Sequence, residues 1–439
     1  MKYLPNILFL MCFLAGSGYF AWQMRRIIRN IRMGRPLNLN NRLPERLKIM
    51  ALVALGQSKM VRRPLAGVMH VIIYLGFIII NIEVLEIVLD GLLGSHRLFA
   101  PYLGRLYDVL IGSFEILAAG VIVACLVFLI RRYGGQVQRL KPTGDLKGWP
   151  SRDAVIILAT EIILMTLFLT MNAADGVLQT RGVDHYIRAG AFPVSAGLQP
   201  LFAGWSEAGL VFLERFCWWG HILGILAFLN YLPHSKHFHI ILAFPNTFYS
   251  KLEPKGQLPL DENVLKEVRM MLDPQAQPDS ASSDTMPSFG AKDVTDLTWK
   301  QLLDAYSCTE CGRCTSECPA NLTGKLLSPR KIMMSVRDRM EELGRLREKH
   351  GPHYTDNKKL LGDYITPEEL WACTTCNACA EACPVNIDPV SVIVDLRRSL
   401  VMESSAAPAA LNAMFSNVEN NGAPWQFSPA DRANWIYES

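Results

Sequence analysis

Five apolar stretches, separated by polar segments, dominate the first 240 residues of the chain. Each has about the ~20 residues that a helix needs to cross the hydrocarbon core of a membrane. Buried helices of a soluble protein are the alternative, but five such runs leave too little polar sequence to cover them. The pattern therefore predicts five membrane-spanning helices. They lie near residues 7–24, 66–89, 107–130, 153–173 and 208–232.

Beyond residue 240 the pattern changes to amphipathic segments with helical periodicity and little strand-like alternation. The segment 273–290 is rich in Pro, Ser and Asp, so it is predicted to be a flexible tether. Pro367, with Thr366 as a cap, is typical of a helix start. The helices predicted for this half are 296–307, 328–349, 357–372 and 388–402.

These changes of pattern divide the chain into four parts. We expect a transmembrane domain at 1–240, a linker at 241–295, a compact domain at 296–403 and a C-terminal docking tail at 404–439. In the tail, Trp425 and Trp435 are interpreted either as docking anchors or as residues that pack onto the compact domain. Within the first part, alternating apolar and basic positions at 43–56 favour a short helix on the membrane surface.

Positive charge is distributed unevenly and predicts the orientation. Residues 1–240 carry a net charge of +11 and residues 241–439 one of −7, which together give the net +4 of the chain. The segments 25–65 and 131–152 contain 11 and six Lys or Arg residues, whereas the loops on the opposite side contain two each. Lys and Arg are retained on the cytoplasmic side. We therefore expect a multi-pass protein of the cytoplasmic (inner) membrane, with the N-terminus outside.

The charges around the first span also bear on whether it is retained. In a cleaved signal peptide, positive charges precede the apolar run and small residues mark the cleavage site. Here Arg25 and Arg26 follow the apolar run. The first span is therefore predicted to remain as a helix.

Two repeated cysteine runs carry the strongest chemical signal. Each follows the pattern Cys-x2-Cys-x2-Cys-x3-Cys-Pro, which is typical of proteins with two iron–sulfur clusters. In this spacing three cysteines bind one cluster and the fourth reaches the other. The sequence therefore predicts two [4Fe–4S] clusters with crossed ligands. These are Cys308, Cys311, Cys314 and Cys383 for the first cluster, and Cys373, Cys376, Cys379 and Cys318 for the second.

Structural zinc is the alternative, because Cys-x2-Cys pairs also bind zinc in four-cysteine sites. The third cysteine, the Cys-Pro ending and the repetition favour clusters, which need the reduced thiols of a reducing compartment. The remaining Cys12, Cys125 and Cys217 lie within apolar spans and are interpreted as packing residues. The predicted fold is therefore all-α: a five-helix transmembrane bundle followed by a cytoplasmic α-helical two-cluster ferredoxin domain.

Histidines near the spans indicate a haem. Ionisable side chains inside a membrane are costly and point to function. His70 lies near the cytoplasmic end of the second span, and His234, His237 and His239 lie at or beyond the inner end of the fifth. Haem b needs two neutral imidazoles at one depth, so the predicted pair is His70 with one of these three.

A second haem stays open. His221 lies toward the outer end of the fifth span, and at ~1.5 Å per residue about 27 Å of helix separates it from His239. The second span offers Ile80 at the matching depth, and His96 and His185 are the other candidates. Acidic residues within the spans are interpreted either as proton relays or as paired structural groups. They are Glu83, Glu86, Glu115, Glu161 and Glu214.

With these residues, the segment 1–240 resembles the gamma subunit of respiratory nitrate reductase and the membrane subunit of heterodisulfide reductase. The resemblance rests on Gly67-Val-Met-His70 and on the stretch from His221-Ile-Leu-Gly to Pro233-His-Ser-Lys-His-Phe-His239. It implies that His70 and His239 hold the haem nearer the cytoplasm and that His221 holds an outer haem. The outer haem's second ligand falls at Ile80, which departs from the family pattern.

Residues 296–439 resemble the iron–sulfur subunit of heterodisulfide reductase and of the glycerol-3-phosphate dehydrogenase and glycolate oxidase assemblies. The resemblance rests on Cys308-Thr-Glu-Cys311-Gly-Arg-Cys314, Pro424-Trp425 and Trp435. It implies electron transfer between membrane quinone (menaquinone or ubiquinone) and a cytoplasmic subunit that brings flavin or cysteine-rich iron–sulfur domains. No nucleic-acid partner is expected.

The chain has no Gly-rich dinucleotide loop, so no catalytic residue is predicted. The expected role is a non-catalytic or quinone-reactive subunit of a respiratory oxidoreductase complex. The alternatives are a membrane-tethered iron–sulfur redox sensor without haem, and a quinol-driven electron donor to a disulfide-reducing partner. The direction of electron flow depends on the surroundings of each cofactor and is not predicted.

Overall fold

The computed structural model describes residues 3–134, 137–142, 144–273, 275 and 288–437. Most of the predicted tether 273–290 lies outside these residues. The described residues form helices and turns and contain no strand, so the all-α prediction is confirmed. The α-helices of eight or more described residues are α1 (Leu4–Ile31), α2 (Leu43–Met50), α3 (Pro64–Leu93), α4 (Arg105–Tyr133), α5 (Trp149–Arg181), α6 (Glu207–Tyr231), α7 (His239–Phe248), α8 (Glu262–Leu272), α9 (Trp299–Ser307), α10 (Pro329–His350), α11 (Pro389–Arg398) and α12 (Ala409–Asn421).

Five of these helices, α1 and α3 to α6, are long and apolar enough to cross a membrane, as the hydrophobic pattern predicts. They alternate in direction, and each packs against the next in the order α1, α3, α4, α5 and α6, after which α6 returns to α1. The result is a closed five-helix bundle. Its interior holds polar groups such as Glu115 and Asn172, both fully buried, whereas apolar residues such as Phe212 face outward.

Local signals set the ends of the spans. Pro64 starts α3, where its fixed φ suits the first turn and its missing N–H costs nothing. The same helix ends at Gly94, which has a φ of +75°, a left-handed conformation that favours glycine. Ser206 caps α6 by accepting a hydrogen bond from the backbone N–H of Gly209.

The second half packs α9, α10 and α11 around the two cysteine loops. Its core is apolar and includes the fully buried Ile332, Val336 and Leu396. Thr298 starts α9 with a capping box to Gln301, and Thr366 does the same for the short helix Pro367–Trp371. The predicted helix start at Pro367 is therefore present.

Three segments differ from the sequence-based expectation or refine it. The first residues of the predicted linker 241–295 belong to α7, whose Asn246 is fully buried and donates to the carbonyl of Val385. Of the predicted helix 357–372, only Pro367–Trp371 is an α-helix, and it follows a distorted turn at Leu360–Tyr364 in which Gly362 has a φ of +101°. The helix expected at 43–56 is present as α2 and continues into one π-helical turn.

The two halves meet through basic residues of the membrane bundle and acidic residues of the second half. Arg62 pairs with Glu381, Arg63 with Glu317, and Arg26 and Arg29 with Glu348. A backbone contact reinforces this interface, because the N–H groups of Arg35 and Trp299 donate to the carbonyls of Leu297 and Arg35. A side chain at Gly34 would collide with the backbone of Trp299, so only glycine allows the approach.

Candidate functional site

The two cysteine motifs adopt the same local backbone. In the first motif, Glu310 and Gly312 have left-handed φ angles of +55° and +68°. In the second, Thr375 and Asn377 occupy the same positions relative to the first cysteine and have φ angles of +55° and +60°. This repeated turn curls the chain so that the first three thiols of each motif converge.

The converging thiols line two cavities. Atom-free space, including what is open to solvent, is about 370 Å³ in the first cavity and about 300 Å³ in the second. Cys379 contributes to both walls. The other cysteines divide crosswise, with Cys308, Cys311, Cys314 and Cys383 lining the first and Cys318, Cys373 and Cys376 the second.

This division places every predicted cluster ligand in the wall of its predicted site. The fourth cysteine of each motif, Cys318 or Cys383, faces the cavity formed by the other motif. Among the described residues, no group of three or more His, Cys, Asp or Glu side chains is close enough together to bind a single metal ion.

The chemistry of the thiols suits a metal cluster. Burial raises the pKa of Cys308 to about 11 and that of Cys383 to about 12, so these thiols keep their protons until a metal displaces them. Backbone N–H groups also aim at the sulfurs, at 3.3 Å from Ile387 to Cys383 and 3.4 Å from Thr375 to Cys373. Metal binding displaces thiol protons, and N–H donors to sulfur are among the features that set cluster potentials. The cysteines present therefore fit iron–sulfur clusters.

Cations from both halves of the chain surround the first cavity. Arg139 donates to the carbonyl of Cys311 at 3.0 Å, and Arg313 donates to the carbonyl of Lys59 at 3.0 Å. Lys59 donates to the carbonyl of Glu381 at 3.3 Å, and burial lowers the pKa of this lysine to about 8. Positive charges near a cluster stabilise its reduced, more negative state. By contrast, Cys376 of the second cavity is exposed to solvent.

The structure brings His70 and His239 together. Their ring centroids are 6.3 Å apart. Metal–imidazole nitrogen bonds are ~2.0–2.1 Å long, so this spacing would let both imidazoles bind one iron. The Nδ1 of His239 lies 3.0 Å from the carbonyl of Lys236, which leaves Nε2 free as a ligand. The Nδ1 of His70 is buried without a hydrogen-bond partner. The two imidazoles present would therefore fit a haem iron, which would supply a one-electron redox centre.

The other candidate histidines have different surroundings. His237 lies 5.6 Å from the ring of His239 and 3.9 Å from the carboxylate of Glu161. His234 is exposed and lies outside the pair. His221 is buried, with its Nδ1 2.9 Å from the carbonyl of Leu164, and no ring contact joins another described histidine to it. His96 and His185 contact each other at the far end of the bundle.

An ion-paired bridge links the histidine pair to the first cysteine motif. Glu310, between Cys308 and Cys311, is buried and pairs with Lys236 and Arg337. Burial alone would raise the pKa of Glu310, but these two cations lower it. Lys236 also contacts the histidine pair, because its backbone carbonyl lies 3.0 Å from the Nδ1 of His239. Sequence reasoning missed this bridge, although Lys236 stands among the histidines and Glu310 inside the cysteine motif.

Comparison with known proteins supports the iron–sulfur interpretation. Residues 307–387 match the family model described as a 4Fe-4S dicluster domain. The chain is 28% identical over 449 residues to a "Probable iron-sulfur-binding oxidoreductase FadF" of Bacillus subtilis, covering 96% of the chain and 59% of the relative. It is 27% identical over 425 residues to an "EtfAB:quinone oxidoreductase" of Syntrophomonas wolfei, covering 92% of the chain and 55% of the relative.

A third relative shares only part of the chain. A "Probable membrane-anchored ferredoxin" of Chromohalobacter salexigens is 34% identical over 166 residues, covering 34% of the chain and 24% of the relative. The chain thus spans little more than half the length of the first two relatives and a smaller part of the third. No solved structure is significantly similar to the chain.

Subunits C and D of heterodisulfide reductases also match, which confirms the resemblance seen in the sequence. The homologues are subunits of oxidoreductase complexes or iron–sulfur oxidoreductases with electron-transfer roles. The protein is therefore similar to membrane-associated iron–sulfur electron-transfer oxidoreductases, and it carries a 4Fe-4S dicluster domain beside five apolar helices.

Proposed function

We propose that the protein is a membrane-anchored electron-transfer subunit that connects a cytoplasmic redox partner with the quinone pool. Two [4Fe–4S] clusters and a haem b, when bound, supply the one-electron redox centres for this path. The observation that carries the proposal is the order of the sites. The second cavity opens to solvent at Cys376, whereas the first faces the cationic loops of the membrane bundle next to the histidine pair.

The proposed cluster ligands follow the walls of the two cavities. The crossed arrangement ties the two motifs together, because each motif supplies one thiol to the other's site. Cys308, Cys311, Cys314 and Cys383 hold the first cluster, and Cys373, Cys376, Cys379 and Cys318 hold the second.

The proposed haem ligands are His70 and His239. Their spacing, the unpartnered Nδ1 of His70 and the carbonyl that orients His239 support this choice over His234 or His237. Arg313, which lines the first cavity, lies close enough to His70 for an electrostatic interaction. The cluster site and the histidine pair are therefore neighbours. The proposal contains one haem, because His221 has no partner histidine among the described residues.

The orientation is part of the proposal. The basic loops at 25–65 and 131–152 contact the ferredoxin domain, so both lie on one side of the bundle. Lys and Arg are retained in the cytoplasm, which places this domain there and the N-terminus outside. The partner subunit then docks near Cys376, and the exposed Trp425 and Trp435 of the tail offer anchors. A partner that brings flavin or further iron–sulfur centres suits such a one-electron entry point.

Anaerobic purification of the whole chain in detergent tests the proposal. We expect about eight iron and eight acid-labile sulfide per chain, as two [4Fe–4S] clusters require, together with a Soret band. Addition of a menaquinol or ubiquinol analogue should reduce the haem first and the clusters afterwards. Protein with zinc but no acid-labile sulfide would overturn the cluster assignment. A protein that contains both clusters but shows no Soret band would overturn the haem assignment and favour a membrane-tethered redox sensor.

The similarity to heterodisulfide reductase subunits favours a second candidate. In that case quinol supplies electrons that leave through the second cluster to a disulfide-reducing partner. The two candidates differ in direction, so the potentials of the haem and both clusters distinguish them. Clusters that are more oxidising than the haem favour the quinol-driven donor, and clusters that are more reducing favour delivery to quinone.

A further inference from the structure

A buried polar network fills the end of the membrane bundle away from the ferredoxin domain. Helix α3 starts beside that domain and extends for about 45 Å at 1.5 Å per residue, so its C-terminal part lies at the opposite end. Arg97, buried in the loop after α3, is the centre of the network. It donates to Asp175 at 2.7 Å, to Asn172 at 3.0 Å and to Tyr107 at 3.2 Å.

Two acids of this network are fully paired and serve the structure. Glu86 accepts from the hydroxyl of Tyr107 at 2.8 Å and from the N–H of Phe99 at 2.7 Å. Glu115 accepts from Asn172 at 3.1 Å and from the N–H groups of Val194 and Ser195 at 2.9 and 3.0 Å. Buried carboxylates with such donors hold helices and loops together. No further role is needed to explain them.

Glu83 differs from these acids. It is only 3% exposed, and its Oε2 has no hydrogen-bond partner. The charged groups that face it are Arg97, Glu86, Glu115 and Asp175, and Arg97 is already paired with Asp175. A buried carboxyl group without a donor is stable as the neutral acid. Glu83 therefore brings an exchangeable proton into the bundle without an evident structural purpose.

Two histidines connect this region with the surface. The Nε2 of His96 lies 3.5 Å from the carboxylate of Asp175, and its Nδ1 is buried without a partner. The ring of His96 is 5.4 Å from that of His185, which is exposed. An imidazole can accept a proton at one nitrogen and release one at the other. His96 is thus placed between the surface and the buried Asp175.

Further charged groups surround the two histidines. Arg215, Glu214 and Asp90 lie within electrostatic reach of His185. Tyr186 contacts the ring of His96 at 5.1 Å and donates to Glu214 at 3.1 Å. These groups make the surroundings of His96 and His185 polar.

We propose that this network is a proton pathway that runs from the surface at His185 through His96 and Asp175 to Glu83. The last step needs a bridging water, for which Asp175, Arg97 and Glu83 supply polar partners. The inference rests on the proposed function, since oxidation of a quinol releases two electrons and two protons and reduction of a quinone consumes them. The electrons leave toward the histidine pair, and the protons leave through this end of the bundle.

Infrared spectroscopy of the whole chain in lipid nanodiscs tests the pathway without quinone. Glu83→Gln identifies the carbonyl band of the neutral Glu83, and transfer into D2O then shifts this band at a measurable rate. His96→Asn and His185→Asn should each slow the exchange by about 10²-fold, the size of a typical proton-transfer contribution. His353→Asn, an exposed histidine of the ferredoxin domain, is the matched control and should exchange at the wild-type rate.

Wild-type exchange rates in both His96→Asn and His185→Asn would overturn the pathway, as would the absence of a carboxylic-acid band that Glu83→Gln removes. If Glu83→Gln does not fold, Glu83→Asp identifies the band instead, because it keeps a carboxyl group but moves its carbonyl frequency. A second measurement links the pathway to the proposed function. Quinol oxidation should fall by about 10²-fold in His185→Asn, with unchanged reduction of the clusters by dithionite. A wild-type protein that does not react with quinol would refute the proposed function and leave the exchange result valid.

Discussion

The membrane bundle and the ferredoxin domain are both helical and both have an apolar core, but they expose opposite kinds of side chain. The bundle exposes residues such as Val109 and Phe212 and buries Glu115 and Asp175. The ferredoxin domain buries Ile332 and exposes charged residues such as Arg345. Lipid removes the hydrophobic drive to bury apolar groups, so close packing and polar contacts together hold the inside of the bundle. The comparison shows that the surrounding solvent decides which residues stay on the surface.

The candidate redox sites of the two regions also differ, in the chemistry of their ligands. The ferredoxin domain offers soft thiols on a curled backbone, and the bundle offers imidazoles on long helices. The pair Lys236 and Glu310 connects the two regions and is largely buried. The following experiments test how independent the regions are and where they are coupled.

The largest effect is expected from the crossed cysteines. Cys318→Ser should lose the second cluster and Cys383→Ser the first, each with about half of the iron. The bundle should keep its haem in both variants, because its fold does not depend on the thiols. Iron analysis and electron paramagnetic resonance measure the loss, with Cys12→Ser as the control. Damage in Cys318→Ser that is confined to the first cluster would show that the ligands are not crossed.

Removal of a proposed haem ligand should affect the bundle and leave the ferredoxin domain unchanged. We expect His70→Ala to abolish the Soret band and to leave both clusters in place, because the axial ligand is lost while the ferredoxin domain is untouched. His234→Ala should retain the band, since this exposed residue lies outside the pair. Optical spectra and sulfide analysis check both. An intact Soret band in His70→Ala would refute the ligand assignment.

A smaller effect is expected at the buried bridge. Lys236→Met leaves Glu310 with Arg337 as its remaining cation. We expect a loss of about 1–3 kcal/mol in the stability of the ferredoxin domain, since a buried charged group loses a partner. The thermal loss of cluster absorbance measures it. The exposed Lys349→Met is the control, and an equal shift in both variants would argue against a special role of the bridge.

The smallest effect belongs to the surface contact between the two regions. Glu348 pairs with Arg26 and Arg29, and all three side chains are partly exposed. Glu348→Gln should cost less than about 1 kcal/mol, because solvent screens such pairs. The same thermal assay should show that the difference disappears at high salt. A larger, salt-independent loss would mean that this contact is part of the core of the interface.

The features that could be predicted from the sequence are those that depend on a local pattern. Each of the five spans is a continuous apolar run, and each cysteine motif is a short repeat, so both can be recognised without knowledge of the fold. The helix predicted at 357–372 begins ten residues too early, because the apolar spacing over 357–366 does not reveal the non-helical Leu361 and Gly362. Most of helix α7 was assigned to the linker because the membrane domain was predicted to end at residue 240. The contact of Asn246 with Val385, which is far away in sequence, could not be predicted.

The candidate sites show the same limit. The residue spacing identified the cysteines that line both cavities and a set of three histidines for the haem, but it could not choose among the three. The packing of α3 against the start of α7 brings His239 to His70 and leaves His234 exposed. The proximity of Glu83 to the paired Arg97 and Asp175 could not be predicted either, because these residues come from a helix, a loop and another helix.

The amino-acid sequence by itself determined the helical class, the number of spans and the thiols that can bind iron, because these depend on hydrophobicity and spacing along a short stretch of chain. The tertiary structure alone decided which imidazoles face each other, which acid stays unpaired and which lysine bridges the two regions. Such choices depend on distances between residues that are remote in sequence, and only packing sets those distances.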